Sequence, residues 1–335
     1  MIKTLYTCMG TGFNPYENLA LEEMLLTHVP KESCILYLWQ NQKTVVIGKN
    51  QNAWKECRVK ELEEDGGFLA RRLSGGGAVF HDLGNLNFTF LMNSPDYDLS
   101  RQLDVILQAV ASLGISAQKS GRNDVTTTDG RKFSGNAFYH HGGKSYHHGT
   151  LMLQVDKDLV ARYLNVSAAK LSSKGVSSVK SRVVNLVELQ PELTVEAMKE
   201  ALVSAFEQVY GLPSLPFPVE ELNGDKTAAL AARNASFDWR LGRNIPFDWQ
   251  GECRFPWGGI ELKLRVESGR VQEAALYSDA MDGDFIPRIA PLFTGKIFSS
   301  QELGEALSPL LLEDIGQLPR QMVEDLRDFI RSQEF

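Results

Sequence analysis

The sequence predicts an α+β protein, with a large αβ domain over residues 1–247 and a small αβ domain over residues 248–335. Three observations lead there. Strand-like and helix-like periodicities alternate through most of the chain. Residues 212–218 hold three prolines, a stiff connector rather than a regular element, and the composition changes beyond it. A hairpin pattern, 258–267 and 270–278 around Ser268-Gly269, then precedes a mainly helical tail from about Phe285.

The elements follow in order. Asn14 is placed to cap a first helix, Pro15 suits its first position, and Glu17 stands where a capping box would use a carboxylate; Leu21, Leu25 and Leu26 form its buried stripe. Apolar runs at 35–39 and 44–48 read as strands, and 56–64 as a short helix stopped by Gly66 and Gly67. A strand at 68–73 feeds Ser74-Gly75-Gly76-Gly77, and strands at 78–82 and 86–92 join through Gly84-Asn85. Alternation puts Phe80 and Asp82 on one face and His81 on the other. A helix at 99–113 ends at Gly114.

Asp129-Gly130 then signals a hairpin between 124–128 and 131–135. In a regular hairpin Lys132 faces Thr127, Asn123 lies on the lysine's side, and Asp124 lies on the other unless a bulge intervenes. A second hairpin turns at Gly142-Gly143, its strand running on through 149–155, with helices at 157–164 and 195–210. Beyond the connector come a short Ala-rich helix and a Trp-containing stretch.

Composition excludes some classes. With 35 Lys and Arg against 42 Asp and Glu, a net charge of -7 lacks the positive field of a sequence-independent nucleic-acid binder. Cys8, Cys34, Cys57 and Cys253 are scattered without a CxxC pair, as expected of reduced thiols. No secretory leader pattern and no membrane-length apolar run is present, so a soluble, cytoplasmic protein is expected.

Three stretches carry chemistry. In Arg71-Arg72-Leu73-Ser74-Gly75-Gly76-Gly77, glycines let backbone N–H groups approach an anion and the guanidinium groups offer bidentate hydrogen bonds. Taken alone, the stretch is more often a flexible Gly-rich turn with solvated arginines. Gly121-Arg122-Asn123-Asp124 is followed by Arg131-Lys132-Phe133-Ser134-Gly135; a strand-borne lysine suits charge developing on a phosphate or carbonyl oxygen. Asp124 is a candidate Mg²⁺ ligand, a residue that positions a lysine, or equally an ordinary turn-capping Asp. From 159 to 187 the chain carries Arg162, Lys170, Lys174, Lys180 and Arg182 and no acidic residue, which suits a basic lid over an anionic intermediate. Five of six histidines lie between His81 and His148, but adjacent histidines on a strand face opposite ways, which argues against zinc. Near His148-Gly149-Thr150 they suit a polar pocket wall.

Arg71-Arg72-x-Ser74-Gly75-Gly76-Gly77-Ala78-Val79-Phe80-His81-Asp82, Gly121-Arg122-Asn123-Asp124, Arg131-Lys132-x-Ser134-Gly135 and His147-His148-Gly149-Thr150 together resemble the ordered blocks of the bacterial lipoate-protein ligase A family. Similarity extends to 15–23, to Trp54-Lys55-Glu56-Cys57 and to Trp257-Gly258-Gly259. The resemblance implies a mixed-sheet catalytic domain related to biotin-protein ligases plus a C-terminal accessory domain. It also implies a two-step reaction: lipoate and ATP give lipoyl-AMP and pyrophosphate, and a lysine of an acceptor lipoyl domain then takes the lipoyl group. Lys132 would be the catalytic residue and touch both substrates. Arg72, Gly77, Ala78, Val79 and Phe80 would bind ATP, and Arg71, Ser74, Gly75, Gly76, His81 and His148 would bind lipoate. Lys174, Gly175, Val176, Ser177, Ser178, Val179, Lys180, Ser181, Arg182 and Val183 would form the adenylate-binding loop, with Mg²⁺ nearest Asp124.

The acceptors so implied are lipoyl domains of 2-oxoacid dehydrogenase E2 subunits and the glycine-cleavage H protein, served by a monomer. Alternatives within the superfamily are an octanoyl- or lipoyltransferase working through a cysteine thioester, or one that accepts preformed lipoyl-AMP. A non-catalytic lipoate or adenylate sensor is the alternative outside enzymology.

Overall fold

The structure, a computed structural model, describes residues 1–121, 124–165, 183–242 and 245–333. Its contacts divide into two compact units: residues 1–46, 54–71 and 78–240 form the first, and residues 47–53, 72–77 and 241–335 the second. The architecture is mixed α+β, with a large mixed sheet in one unit and a three-stranded sheet with helices in the other.

The first unit opens with β1 (Thr4–Met9), α1 (Pro15–His28), β2 (Ser33–Trp39) and β3 (Thr44–Ile47). The Asn14 side chain caps α1 by accepting from the Tyr16 N–H. Glu17 does not complete a capping box; its carboxylate accepts instead from the Asn14 side-chain amide at 3.2 Å. Leu25 and Leu26 are buried as expected, whereas Leu21 is half-buried. The expected 56–64 helix is two pieces, α2 (Ala53–Glu56) and α3 (Val59–Glu64), because Cys57 bridges Leu164 and the Arg58 N–H donates to the Tyr163 carbonyl.

Then follow β4 (Phe68–Arg71), β5 (Val79–His81), β6 (Asn85–Asn93), α4 (Leu99–Ser112), β7 (Ala117–Ser120), β8 (Asp124–Thr127), β9 (Lys132–His141), β10 (Lys144–Met152) and α5 (Lys157–Tyr163). Gly142 and Gly143, at φ +57° and +75°, make the tight turn between β9 and β10 that residues with Cβ atoms rarely adopt. After α6 (Val195–Tyr210) comes β11 (Ser214–Pro216), where the proline count suggested only a connector. It pairs parallel with β1 at the sheet edge, where a proline's missing N–H is tolerated. The unit closes with α7 (Gly224–Ala235) and α8 (Phe237–Leu241), the latter ending one residue past it.

The large sheet runs β11-β1-β2-β6-β10-β9-β8-β7. One face is apolar: Leu36, Leu38, Leu86, Phe88 and Phe90 pack with Val105, Ile106 and Ala109 of α4 and Leu202 and Phe206 of α6. Each of these large side chains contributes about 1.5–3 kcal/mol by leaving water. The other face packs Ile35, Tyr37, Trp39, Leu91 and Tyr146 with Leu25 and Leu26 of α1 and also carries buried polar groups, Asn87, Thr89 and His148 among them.

In the second unit β12 (Trp249–Phe255), β13 (Gly258–Glu267) and β14 (Arg270–Ser278) form an antiparallel sheet, and α9 (Ser300–Ala306), α10 (Ser308–Leu311) and α11 (Gln317–Arg331) follow. Ile260, Leu262 and Leu264 pack with Leu303, Met322, Val323 and Leu326 in a core of their own. Among the described residues no helix is long and apolar enough to cross a membrane.

Candidate active site

Lys132 begins β9, and a register irregularity decides what it faces. Asp124 pairs with Gly135 and Val125 with Ser134, but Thr126 pairs with Lys132, so β9 carries one extra residue at Phe133. The regular-hairpin parity, with Lys132 opposite Thr127 and Asp124 turned away, is therefore corrected: the bulge brings Asp124 to the lysine's side. The ammonium lies 2.7 Å from the Asp124 carboxylate. A Cβ on Gly135 would stand 3.0 Å from the same Nζ, so the missing side chain makes room for it. The Lys132 backbone is held in turn by a bridge to Val183 and by the Val184 N–H on its carbonyl at 2.9 Å.

Strand register extends this site across the polar face. One row of neighbours runs Trp39, Asn87 and Thr150, and the Gly135 N–H donates to the Thr150 hydroxyl at 3.3 Å, with Asp124 paired beyond Gly135. The adjacent row runs Tyr37, Thr89, His148 and Ala137. Alternation along each strand puts both rows on the face opposite the apolar core. Glu22 descends onto the second row from α1 and is 2% exposed. Its Oε1 meets His148 Nδ1 at 2.9 Å and accepts from the Thr89 hydroxyl at 2.7 Å, which in turn accepts from the Trp39 indole at 3.1 Å.

Sequence reasoning missed Glu22, Trp39, Asn87 and Thr89. For Glu22 a signal existed: a carboxylate three and four residues before Leu25 and Leu26 sits within the stripe that should be buried.

The histidines separate as strand alternation requires. His147 is buried on the apolar side between Gln102 Oε1 at 3.0 Å and Asn136 Oδ1 at 2.7 Å, and burial, with a lesser contribution from His148, drives its pKa down to about 3. His81 is buried with its Nδ1 3.1 Å from the Asn41 amide and its ring edge-on to Trp39. Phe80, on the opposite side of β5, stacks on Tyr163, while Val79 is half-buried. Among the described residues no group of three His, Cys, Asp or Glu could hold a metal ion. The single carboxylate of Asp124 therefore fits only a Mg²⁺ carried chiefly by phosphate oxygens.

The glycine stretch splits at Arg71. Arg71, in the first unit, donates to the carbonyls of Trp239 at 2.8 Å and Arg240 at 2.9 Å, and the Trp239 indole returns to the Arg71 carbonyl at 2.9 Å. Arg72, in the second unit, curls over its own loop, donating to the Ser74 hydroxyl at 3.0 Å and to the carbonyls of Gly75 at 2.7 Å and Gly77 at 2.8 Å. Gly76 sits at φ +89°, a left-handed conformation that needs glycine, and a Cβ there would also stand 3.0 Å from Arg72 Nη2. Ala78 is half-buried and follows the loop in the first unit.

Residues 14–207 match the lipoyl protein ligase A/B catalytic domain, and residues 244–330 match the bacterial lipoate protein ligase C-terminus. The chain belongs to the lipoate-protein ligase family. Among solved structures, P. falciparum LipL1 in complex with lipoate is 26% identical, with a TM-score of 0.83 over 98% of this chain and 100% of that one. A bipartite lipoate protein ligase with its E2 lipoyl domain from Thermoplasma acidophilum is 25% identical, with a TM-score of 0.62 over 74% of this chain and 100% of that one. Lipoate-protein ligase A bound with ATP, 22% identical over 72% of this chain and 99% of that one, shares the fold at a TM-score of 0.60.

For a member of the lipoate-protein ligase family, the expected adenylate-binding loop falls mostly outside the described residues: 174–182 are not among them, nor are Arg122 and Asn123, and only Val183 is placed. Burial raises the thiol pKa of Cys8 and Cys57 to about 12 and that of Cys34 further still; Cys253 is partly exposed.

Proposed function

We propose that this chain is an ATP-dependent lipoate-protein ligase, which activates lipoate to lipoyl-AMP and transfers the lipoyl group to a lysine of an acceptor lipoyl domain. The observation that carries the reading is Lys132: a strand-borne ammonium held at 2.7 Å by Asp124 over a side-chain-free Gly135, at the end of a buried polar sheet face. The carboxylate of lipoate attacks the α-phosphate of ATP and pyrophosphate departs. An acceptor amine then attacks the carbonyl of the mixed anhydride, and AMP leaves. Charge grows on the α-phosphate oxygens in the first step and on the carbonyl oxygen in the second. One fixed cation serves both, without reorganisation during the reaction.

The remaining roles follow the chemistry of each group. Arg72 shapes the loop of Ser74, Gly75, Gly76 and Gly77 by binding the carbonyls of Gly75 and Gly77, and the loop's backbone faces anionic substrate atoms; Gly77, Ala78, Val79 and Phe80 line the ATP side. His81 and His148, fixed through Asn41 and Glu22, wall the lipoate side. Arg71 acts there through the backbone it clamps. Mg²⁺, carried by phosphate with Asp124 the nearest carboxylate, would offset phosphate repulsion. Residues 248–335 form the accessory domain.

The archaeal lipoylation system comprises a bipartite ligase and its E2 lipoyl domain, which supports lipoyl domains as acceptors. The relatives holding lipoate and ATP support those two substrates. A thioester route is disfavoured, since three of the four thiols are buried with raised pKa values and stay protonated at neutral pH. A monomer working in the cytoplasm completes the reading. The test mixes purified protein, lipoate, Mg-ATP and an apo lipoyl domain and weighs the acceptor. A lipoyl mass increment that needs ATP supports the proposal; no increment, or one that is independent of ATP, rejects it.

A further inference from the structure

The turn at residues 280–284 lies some two hundred positions from the glycine loop in sequence, yet both belong to the second unit together with residues 47–53. The loop and the turn are joined backbone to backbone. The Gly76 N–H donates to the Ala280 carbonyl at 3.0 Å. A Cβ on Gly75 would overlap the carbonyl oxygens of Ala280 and Met281, and one on Gly283 would stand 3.2 Å from the Gly75 nitrogen. Gly75 therefore permits an approach that a side chain would forbid, and Gly283 one that a side chain would crowd.

The segment 47–53 fastens the pair from the side. The Lys49 N–H donates to the Ser74 carbonyl at 2.9 Å while its ammonium pairs with the Asp284 carboxylate, and the Asn50 amide donates to the Gly283 carbonyl at 2.7 Å. Asp282 fixes the turn's own shape by accepting from the Asp284 and Phe285 N–H groups at 3.2 and 3.0 Å. The ties to Ser74 and Gly76 fall on the loop's main chain and so set its path on either side of Gly75.

We propose that this turn is a positioning element for the glycine loop and that Asp284, through Lys49, is its electrostatic anchor. The activity arm of the test rests on the ligase reading; the exchange arm does not. Full-length Asp284→Asn and Asp284→Glu proteins are compared with the unaltered chain. Amide hydrogen exchange of the peptide holding Gly76 should quicken about three- to fivefold in Asp284→Asn, the scale of a half-exposed ion pair, and stay near the original rate in Asp284→Glu.

In ligation assays the KM values for lipoate and Mg-ATP should rise by a similar factor in Asp284→Asn, with kcat within about twofold, and 0.5 M salt should erase the difference between the two proteins. Unchanged exchange, or KM values that stay level or fall, overturns the inference. If the unaltered chain does not ligate, the ligase reading fails, and the exchange measurement still decides whether Asp284 holds the loop.

Discussion

Replacing Lys132 by alanine separates a catalytic cation from a structural one, because the two roles differ in magnitude. The side chain is 24% exposed and that of Asp124 14%, so the pair lies between a surface ion pair, at about 0–1 kcal/mol, and a buried one, whose breakage costs about 3–5 kcal/mol. Losing it should cost about 1–2 kcal/mol of stability. A domain with about 5 kcal/mol or more to spare then remains over 99% folded. Activity should respond differently. A preorganised charge facing developing negative charge accounts for about 10²–10³ in rate, or about 2.7–4 kcal/mol, far more than the unfolded fraction can explain. The rates of pyrophosphate release and of acceptor lipoylation should both fall by at least a hundredfold, while near-UV circular dichroism is unchanged and the melting temperature drops by a few degrees. Asp124→Asn should slow ligation less, because the ammonium survives and only its placement suffers. Activity within threefold of the original in Lys132→Ala would refute the assignment, as would a loss of activity that tracks loss of fold.

Other consequences are measurable. His147 is neutral in the folded chain until about pH 3, whereas the unfolded chain protonates it near 6.5; the unfolded state thus binds the extra proton in that window, and stability is lost as pH falls through it, by up to about 1.4 kcal/mol per pH unit. Urea midpoints of His147→Gln should fall less between pH 6 and pH 4 than those of the unaltered protein, and parallel pH slopes would contradict the burial argument. With Cys8, Cys34 and Cys57 buried, brief iodoacetamide treatment of the native protein should add at most one label, at Cys253, and leave ligation intact; inactivation in step with labelling would revive the thioester route. Gly76→Val combines a left-handed φ with crowding by Arg72 and Met281, so the KM for lipoate should rise more than tenfold; unaltered kinetics would reduce the glycines to a turn.

What the sequence made legible was local. The hairpin turns at Gly142-Gly143 and Ser268-Gly269 appear where their φ > 0 residues demanded, and α6 spans the residues its periodicity marked. What stayed hidden depended on pairing between distant segments or on a shift of one residue. Pro216 reads as a breaker until β1 is seen to offer an edge where its missing N–H is harmless. Asp124 reads as facing away from Lys132, because parity counts residues and a bulge at Phe133 changes the count. Glu22, an apparent flaw in a helix stripe, becomes intelligible only when β6 and β10 align Thr89 with His148 beneath it.

The glycine loop marks the sharpest limit of sequence reading. Its composition suits an anion cradle or a plain Gly-rich turn, and no local pattern could show that its backbone meets the Ala280 carbonyl and, through Lys49, an ion pair to Asp284. Glycines make a loop permissive rather than shaped, since each adds conformations that must be removed before an N–H points usefully. Something outside the motif must supply that order. Here Arg72 supplies part from within, and the distant turn, fastened through Lys49 and Asn50, supplies more.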